Sequence, residues 1–332
     1  MTLPKFTHLS PSSRQEALDL LKAHGNKMKI IAGGSDLMVQ LKHRTVVPEY
    51  VMDVKVLDGL RDIGTGQDNM TVIGSLTTLS AISESEHIKR HFPILAKAAG
   101  KVASAQIRNV GTLGGNIGLN TRCWYFNQSA QWRKAIPRCY KMGGDQCLVM
   151  KNSDQCNAVF LADTVPALIA LGARVKTVSK DSEKIIPLET LYGKTGHPPN
   201  RLGPEELITE IQIPRTPKNA YTAFFKDAPR EVVDFALVNA AVRMTFKAGN
   251  GACDDARIAF GGVTSHPVRS IKAEEALRGE NITEKLIEEV AELVVKDAAP
   301  ISPIWVSPAQ RRASLSTMIK KGLREAAKGS IQ

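Results

Sequence analysis

No stretch of this 332-residue chain approaches the roughly 20 consecutive apolar residues that a membrane-spanning helix needs. Its opening, MTLPKFTHLSPSSRQEAL, has no hydrophobic signal core, so the expectation is a cytoplasmic protein with no membrane span. Neither of its two glycine-rich turns reads G-x-G-x-x-G, which excludes a Rossmann fingerprint. Gly193-Lys194-Thr195 is not a Walker loop, because Leu188 stands where that loop needs its first glycine. Zinc-finger and RNP-like signatures are missing as well. The excess of 44 basic over 33 acidic residues, net +11, is scattered, with only short runs such as Lys320-Lys321. That scatter argues against nucleic acid and leaves an anionic cofactor or an acidic protein partner to account for the charge. Cysteine is scarce, at five residues, and a reducing cytoplasm argues against a disulfide framework.

What is present divides along the chain. The length predicts about two domains, and 43% hydrophobic residues suffice to bury their cores. A Ser13-x-x-Glu16 capping box opens the helix SRQEALDLLKAH, and Gly25 stands where a terminator belongs. The apolar run KMKIIA then leads through a glycine turn into a helix over GGSDLMVQLKH, expected to start near Ser35, and on to the strand YVMDV. A second pattern begins with the strand MTVIG, takes Thr77 as a helix cap, and runs through helices to VASAQIRNVGTLGGNIGLN. VFLADTVPALIALGARVKTV reads as a helix leading into a strand, ELITEIQIP closes the region, and Pro214 and Pro217 mark a linker. Beyond it YTAFFKD, ALVNAAVRMTF and ARIAFGGV read as strands, the last two joined by a turn across KAGNGACDD, with helices TEKLIEEVAELVVKDA and SPAQRRASLSTMIKKGLREAA after them. No internal repeat is visible.

In KIIAGGSDLM, Gly33 and Gly34 lie between a strand and a helix start, where backbone amides without a Cβ in the way can cradle phosphate. A tight turn with no ligand explains the same residues, and Asp36 counts against phosphate unless its carboxylate points away. The second turn, GTLGGN, strengthens the cofactor reading, since a dinucleotide commonly needs two backbone approaches from different elements.

Four of the five cysteines, Cys123, Cys139, Cys147 and Cys156, form a C-x15-C-x7-C-x8-C array within one segment. Four thiolates can ligate zinc or an iron–sulfur cluster, but the close C-x2-4-C pairs typical of structural zinc are absent. Arg122, Arg133, Lys134, Arg138 and Lys141 surround these ligands in sequence, and cations stabilise an anionic cluster. Four unrelated thiols remain the plain alternative. Cys253 is expected in a turn, as a structural or free thiol.

AGGSDL and TLGGN, in that order and about eighty residues apart, resemble the flavoprotein (medium) subunits of the molybdenum hydroxylase (xanthine dehydrogenase) family. The likeness continues through LADTVPALIALGA, EELITEIQIP and YTAFFKDAPREVVDFALVNAAV. It implies an α+β chain: an FAD-binding fold of the vanillyl-alcohol oxidase (PCMH) type in two subdomains, 1–62 and 63–218, then a C-terminal α+β domain of the CO dehydrogenase flavoprotein type, 219–332. The cysteine segment, an insert at 121–157, resembles that of 4-hydroxybenzoyl-CoA reductase β subunits, where it carries a [4Fe-4S] cluster.

By the same resemblance Ile31, Ala32, Gly33, Gly34, Ser35, Asp36 and Leu37 hold the FAD pyrophosphate, and Thr112, Gly114, Gly115 and Asn116 form a second wall. Asp163 bonds an FAD hydroxyl, with an ordinary helix cap as the alternative. Lys226 lies near the flavin or is a solvated edge-strand charge, and Val102 and Leu207 pack on FAD or simply belong to the core. No catalytic residue is expected here. A large molybdopterin subunit and a small subunit with two [2Fe-2S] clusters are the implied partners, as a dimer of heterotrimers, with ferredoxin as electron donor. A basic cluster face, Arg133 and Lys134 included, would suit an acidic ferredoxin. The alternatives are an aldehyde, purine or N-heterocycle dehydrogenase of the same family and, in another class, a zinc-stapled binding module.

Overall fold

A computed structural model describes residues 2–217, 219–247, 251–301 and 306–328. Three sheets organise them. The first is parallel: β1 (Thr7–Leu9), β2 (Met28–Ile31) and β3 (Tyr50–Asp53), in the order β1-β3-β2. Parallel neighbours need crossovers, supplied by α1 (Arg14–His24) and α2 (Leu37–His43). Ser13 caps α1, its Oγ accepting from the Glu16 amide at 3.2 Å, and Gly25 ends the helix at φ 46°. The Glu16 carboxylate accepts from the amide and hydroxyl of Ser12 instead of Ser13, so the reciprocal half of the box closes one residue early. Ala17, Leu18 and Leu21 pack with Met28, Met52 and Leu207 in a core of their own.

The second sheet is antiparallel, ordered β4-β5-β8-β6-β7 and built from β4 (Ile63–Thr65), β5 (Thr71–Gly74), β6 (Arg174–Val178), β7 (Glu183–Pro187) and β8 (Leu207–Ile213). Between β5 and β6 come α3 (Leu79–Glu84), α4 (Glu86–His91), α5 (Pro93–Gly100), α6 (Ala105–Val110), α7 (Leu113–Ile117), α8 (Ala130–Lys134) and α9 (Thr164–Ala170). The cap of α3 is Thr78, not Thr77: Thr78 Oγ1 accepts from the Ala81 amide, whereas Thr77 Oγ1 donates to Arg61 O at 2.9 Å. α9 is buried along its whole length.

The third sheet is antiparallel, ordered β12-β11-β10-β9, from β9 (Ala220–Asp227), β10 (Val238–Phe246), β11 (Cys253–Gly261) and β12 (Val268–Arg269). Side chains alternate across it. Phe224, Ala241 and Ala259 join the core around α9, while Val242, Met244 and Ile258 meet the helices α10 (Ile271–Leu277), α11 (Glu284–Asp297) and α12 (Pro308–Lys328). Burial on both faces explains why β10 reads as a nearly unbroken apolar run. Cys253 is fully buried at the start of β11 and so is not in a turn, its thiol taking a core position. Residues 248–250 of the expected β10–β11 turn lie outside the described set. Among the described residues no helix is long and apolar enough to cross a membrane.

Candidate cofactor site

β2 ends at Ile31, Ala32 follows, and the chain turns through Gly33, Gly34 and Ser35 before α2 begins at Leu37, two residues later than expected. The backbone amides of Gly33, Gly34 and Ser35 donate to no acceptor among the described residues. A Cβ on Gly33 would stand 2.1 Å from Val110 O and 2.9 Å from Gly111 Cα, so only glycine lets this turn meet the approach to the second one. Gly34 has φ +74°, a left-handed conformation that favours glycine. Asp36 occupies the cap position of α2 without capping it. One carboxylate oxygen accepts from Gln40 Nε2 at 2.6 Å and the other pairs with the Arg122 guanidinium. Burial raises the Asp36 pKa, opposed by Arg122, Gln40 and Lys141.

The second glycine pair lies within α7 instead of a turn, and its amides are already engaged. Leu113 N donates to Thr77 O, Gly114 N to Ser75 O, and Gly115 N to Thr112 Oγ1, the cap of α7, at 3.0, 2.8 and 3.1 Å. A Cβ on Gly114 would lie 2.8 Å from Ser75 Cβ, so this glycine answers a close packing contact. Asn116 Oδ1 accepts from Thr164 Oγ1 at 2.6 Å, tying α7 to the start of α9.

Asp163, immediately before α9, makes no cap bond. Its two oxygens accept from Lys226 Nζ at 2.6 Å and Asn239 Nδ2 at 2.8 Å. Lys226 also donates to Lys101 O at 2.8 Å. Side-chain exposures of 3% for Asp163 and 4% for Lys226 rule out the solvated edge-strand reading of this lysine, although β9 is an edge strand. Burial raises the Asp163 pKa, opposed by the Lys226 charge. Val102 and Leu207 both take core positions, in different clusters. Asn239 was not singled out from the sequence. A single amide inside the apolar run ALVNAAV was the available signal, since a buried polar group needs a partner.

Cys123, Cys139, Cys147 and Cys156 all line one cavity, together with Tyr125, Phe126 and Lys141. Among the described residues no three His, Cys, Asp or Glu side chains come together as a site for one metal ion. Burial raises the Cys123 thiol pKa, against donation from the amides of Phe126 and Tyr125, and pushes Cys156 up to about 11. Burial opposes ionisation of Cys147 too, but the amides of Met150, Asn157 and Val149 and the Asn157 side chain hold this thiol below its ordinary value. Asn157 Nδ2 stands 3.5 Å from its sulfur. Lys141 Nζ donates to Asn120 Oδ1 at 2.9 Å and Thr121 O at 2.8 Å and lies 5.2 Å from the Phe126 ring centre. Burial brings its pKa down to about 8, against the pull of Cys156, Cys123 and Cys139.

The other insert cations serve differently. Arg133 directs its guanidinium to the carbonyls of His43, Arg44, Phe126 and Gln128, fastening the insert to the C-terminal end of α2. Its donors are held by backbone oxygens, although the residue is only half-buried. Lys134 and Arg138 are exposed, as are Asp145 and Asp154 on the same segment.

Residues 4–216 match the family described as the FAD binding domain in molybdopterin dehydrogenase, and residues 223–326 the CO dehydrogenase flavoprotein C-terminal domain. The aldehyde oxidoreductase FAD-binding subunit of Escherichia coli K12 is 32% identical over 257 residues, 75% of this chain and 78% of that protein. The xanthine dehydrogenase FAD-binding subunit of Escherichia coli O157:H7 is 28% identical over 312 residues, 94% of this chain and 92% of that one. Carbon monoxide dehydrogenase from Hydrogenophaga pseudoflava superposes with a TM-score of 0.81 at 25% identity, covering 99% of both chains.

Proposed function

This chain belongs to the family of FAD-binding subunits of molybdopterin dehydrogenases, and from that premise we propose that it carries a [4Fe-4S] cluster beside its flavin and acts as an electron-transfer subunit. It is an oxidoreductase subunit that binds FAD, with the PCMH-type domain followed by the CO dehydrogenase flavoprotein C-terminal domain. The cavity lined by all four insert cysteines with Lys141 carries the cluster reading. The C-x15-C-x7-C-x8-C spacing, without the close C-x2-4-C pairs of structural zinc, favours a cluster over a single zinc ion. Lys141 supplies a cation where four thiolates would otherwise concentrate negative charge, and the amides at Cys123, Cys147 and Cys156 supply donors to sulfur. Ligation also deprotonates the cysteines, so it has to outweigh the burial that raises Cys123 and Cys156.

For FAD, the unengaged amides from Gly33 to Ser35 suit the pyrophosphate. Thr112, Gly114, Gly115 and Asn116 form the facing wall. Asp163 accepts one bond on each oxygen and keeps lone pairs for a cofactor hydroxyl. Lys226 holds that carboxylate in place, and Val102 and Leu207 close the apolar sides. When bound, FAD and the cluster together join one-electron to two-electron chemistry. The three sheets support the division 1–62, 63–218 and 219–332.

The finer reading is the β subunit of a cytoplasmic 4-hydroxybenzoyl-CoA reductase, working with a large molybdopterin subunit, a small subunit with two [2Fe-2S] clusters, and a ferredoxin donor. The insert supports it. Exposed Trp132, Val232, Val233 and Phe235 offer apolar surface for partner subunits. A second reading, the medium subunit of an aldehyde or purine dehydrogenase, is favoured by the relatives named above.

Assaying the purified complex with 4-hydroxybenzoyl-CoA and reduced ferredoxin, against aldehydes or purines with an acceptor, separates the two readings. Cys139→Ser should remove about one four-iron cluster per chain. Wild-type protein that is yellow but iron-free, or that holds one zinc, would end the cluster proposal.

A further inference from the structure

The first glycine turn presents an electrostatic conflict. Its amides are free to receive a diphosphate, yet the Asp36 carboxylate stands at the same turn, and like charges at such range repel strongly in a partly buried site. The counter-charge comes from the cysteine insert, 86 residues away. Arg122 is held there on several sides. Its backbone pairs with Val159 in both directions, Arg122 N to Val159 O at 2.8 Å and Val159 N to Arg122 O at 2.7 Å. Its guanidinium lies 5.1 Å from the Phe235 ring centre. Its Nε is buried with no hydrogen-bond partner, and among the described residues the guanidinium bonds to Asp36. Exposures of 20% for Arg122 and 24% for Asp36 keep solvent from screening the pair fully.

We propose that Arg122 is a positioning residue for FAD: by neutralising Asp36 and holding its carboxylate aside, it makes the first glycine turn acceptable to the pyrophosphate. The cluster-bearing segment thereby sets flavin affinity as well as carrying its own cysteines. This inference rests on the FAD reading of the turn.

The test is a double-mutant cycle on the purified complex, stripped of flavin and titrated with FAD by fluorescence quenching, with iron measured in parallel. Arg122→Gln removes the cation paired with the carboxylate, leaving the Gln40 bond and the weaker pull of Lys141, and FAD should bind roughly tenfold more weakly with iron unchanged. Adding Asp36→Asn should restore affinity to within about threefold of wild type, because the charge that needed neutralising is gone. Asp36→Asn alone should bind FAD at least as tightly as wild type, which keeps the test usable if Arg122→Gln fails to fold.

Wild-type affinity in Arg122→Gln overturns the proposal. So does a double variant no tighter than Arg122→Gln, since Arg122 would then act on FAD itself or on the fold. Weakened binding in Asp36→Asn overturns it as well. If wild-type protein takes up no FAD, the reading of the turn falls with it, an outcome distinct from the others.

Discussion

At the first glycine turn the amides of Gly33, Gly34 and Ser35 donate to nothing among the described residues, whereas at the second those of Leu113, Gly114 and Gly115 donate to Thr77, Ser75 and Thr112. The first glycine pair precedes α2 and the second lies within α7, so one keeps its donors available and the other spends them on the residues just after β5 and on the helix cap. Their side-chain anchors differ likewise. The first turn is tied through Asp36 to Arg122 of the insert, and the second through Asn116 to Thr164 and so to the helix that follows the buried Asp163–Lys226 pair. Glycine answers close packing at both places, against Val110 and Gly111 at Gly33 and against Ser75 at Gly114, so the contrast lies in the free or engaged amides.

The largest expected effect lies behind the second turn. Lys226→Met leaves the Asp163 carboxylate buried and unpaired, and should cost about 3–5 kcal/mol in unfolding free energy near neutral pH. Because burial already raises the Asp163 pKa, the native state takes up a proton more readily than the unfolded chain. The loss should therefore shrink as pH falls toward the carboxylate range, which chemical denaturation at several pH values would show. A loss independent of pH would mean the lysine matters for packing alone.

Next comes the point where the turns touch. Gly33→Ala places a Cβ against backbone at Val110 and Gly111 that no rotamer change can clear. It should cost about 2–3 kcal/mol and weaken FAD, measured by thermal unfolding and flavin content. Thr112→Val should have the smallest effect, about 1 kcal/mol from the lost cap of α7, with FAD affinity within threefold of wild type. A loss of FAD beyond tenfold in Thr112→Val would erase the contrast between a ligand-facing turn and a packing turn.

Much of the architecture was legible beforehand because it depends on near neighbours. Ser13, Gly25, the strand MKII and the periodic faces of α11 and α12 are set by bonds and packing a few residues apart. Where local reading slipped, the competing choices were equivalent locally: Thr77 or Thr78 as cap, Ser35 or Leu37 as helix start, Cys253 in a turn or in β11. Asn239 and the engagement of Arg133 with the end of α2 were not legible, since their partners lie 76 and about ninety residues away.

The amino-acid order by itself determined that four cysteines share one segment, that two glycine pairs stand about eighty residues apart, and that apolar runs build the strands of the last sheet. Only the tertiary structure decided that the four cysteines and Lys141 line one cavity, that Asp163 meets Lys226, and that Arg122 answers Asp36. Helical and strand periods follow from backbone geometry repeated over a few residues. The partner of a buried charge depends instead on which distant segments the packed cores bring within hydrogen-bond reach.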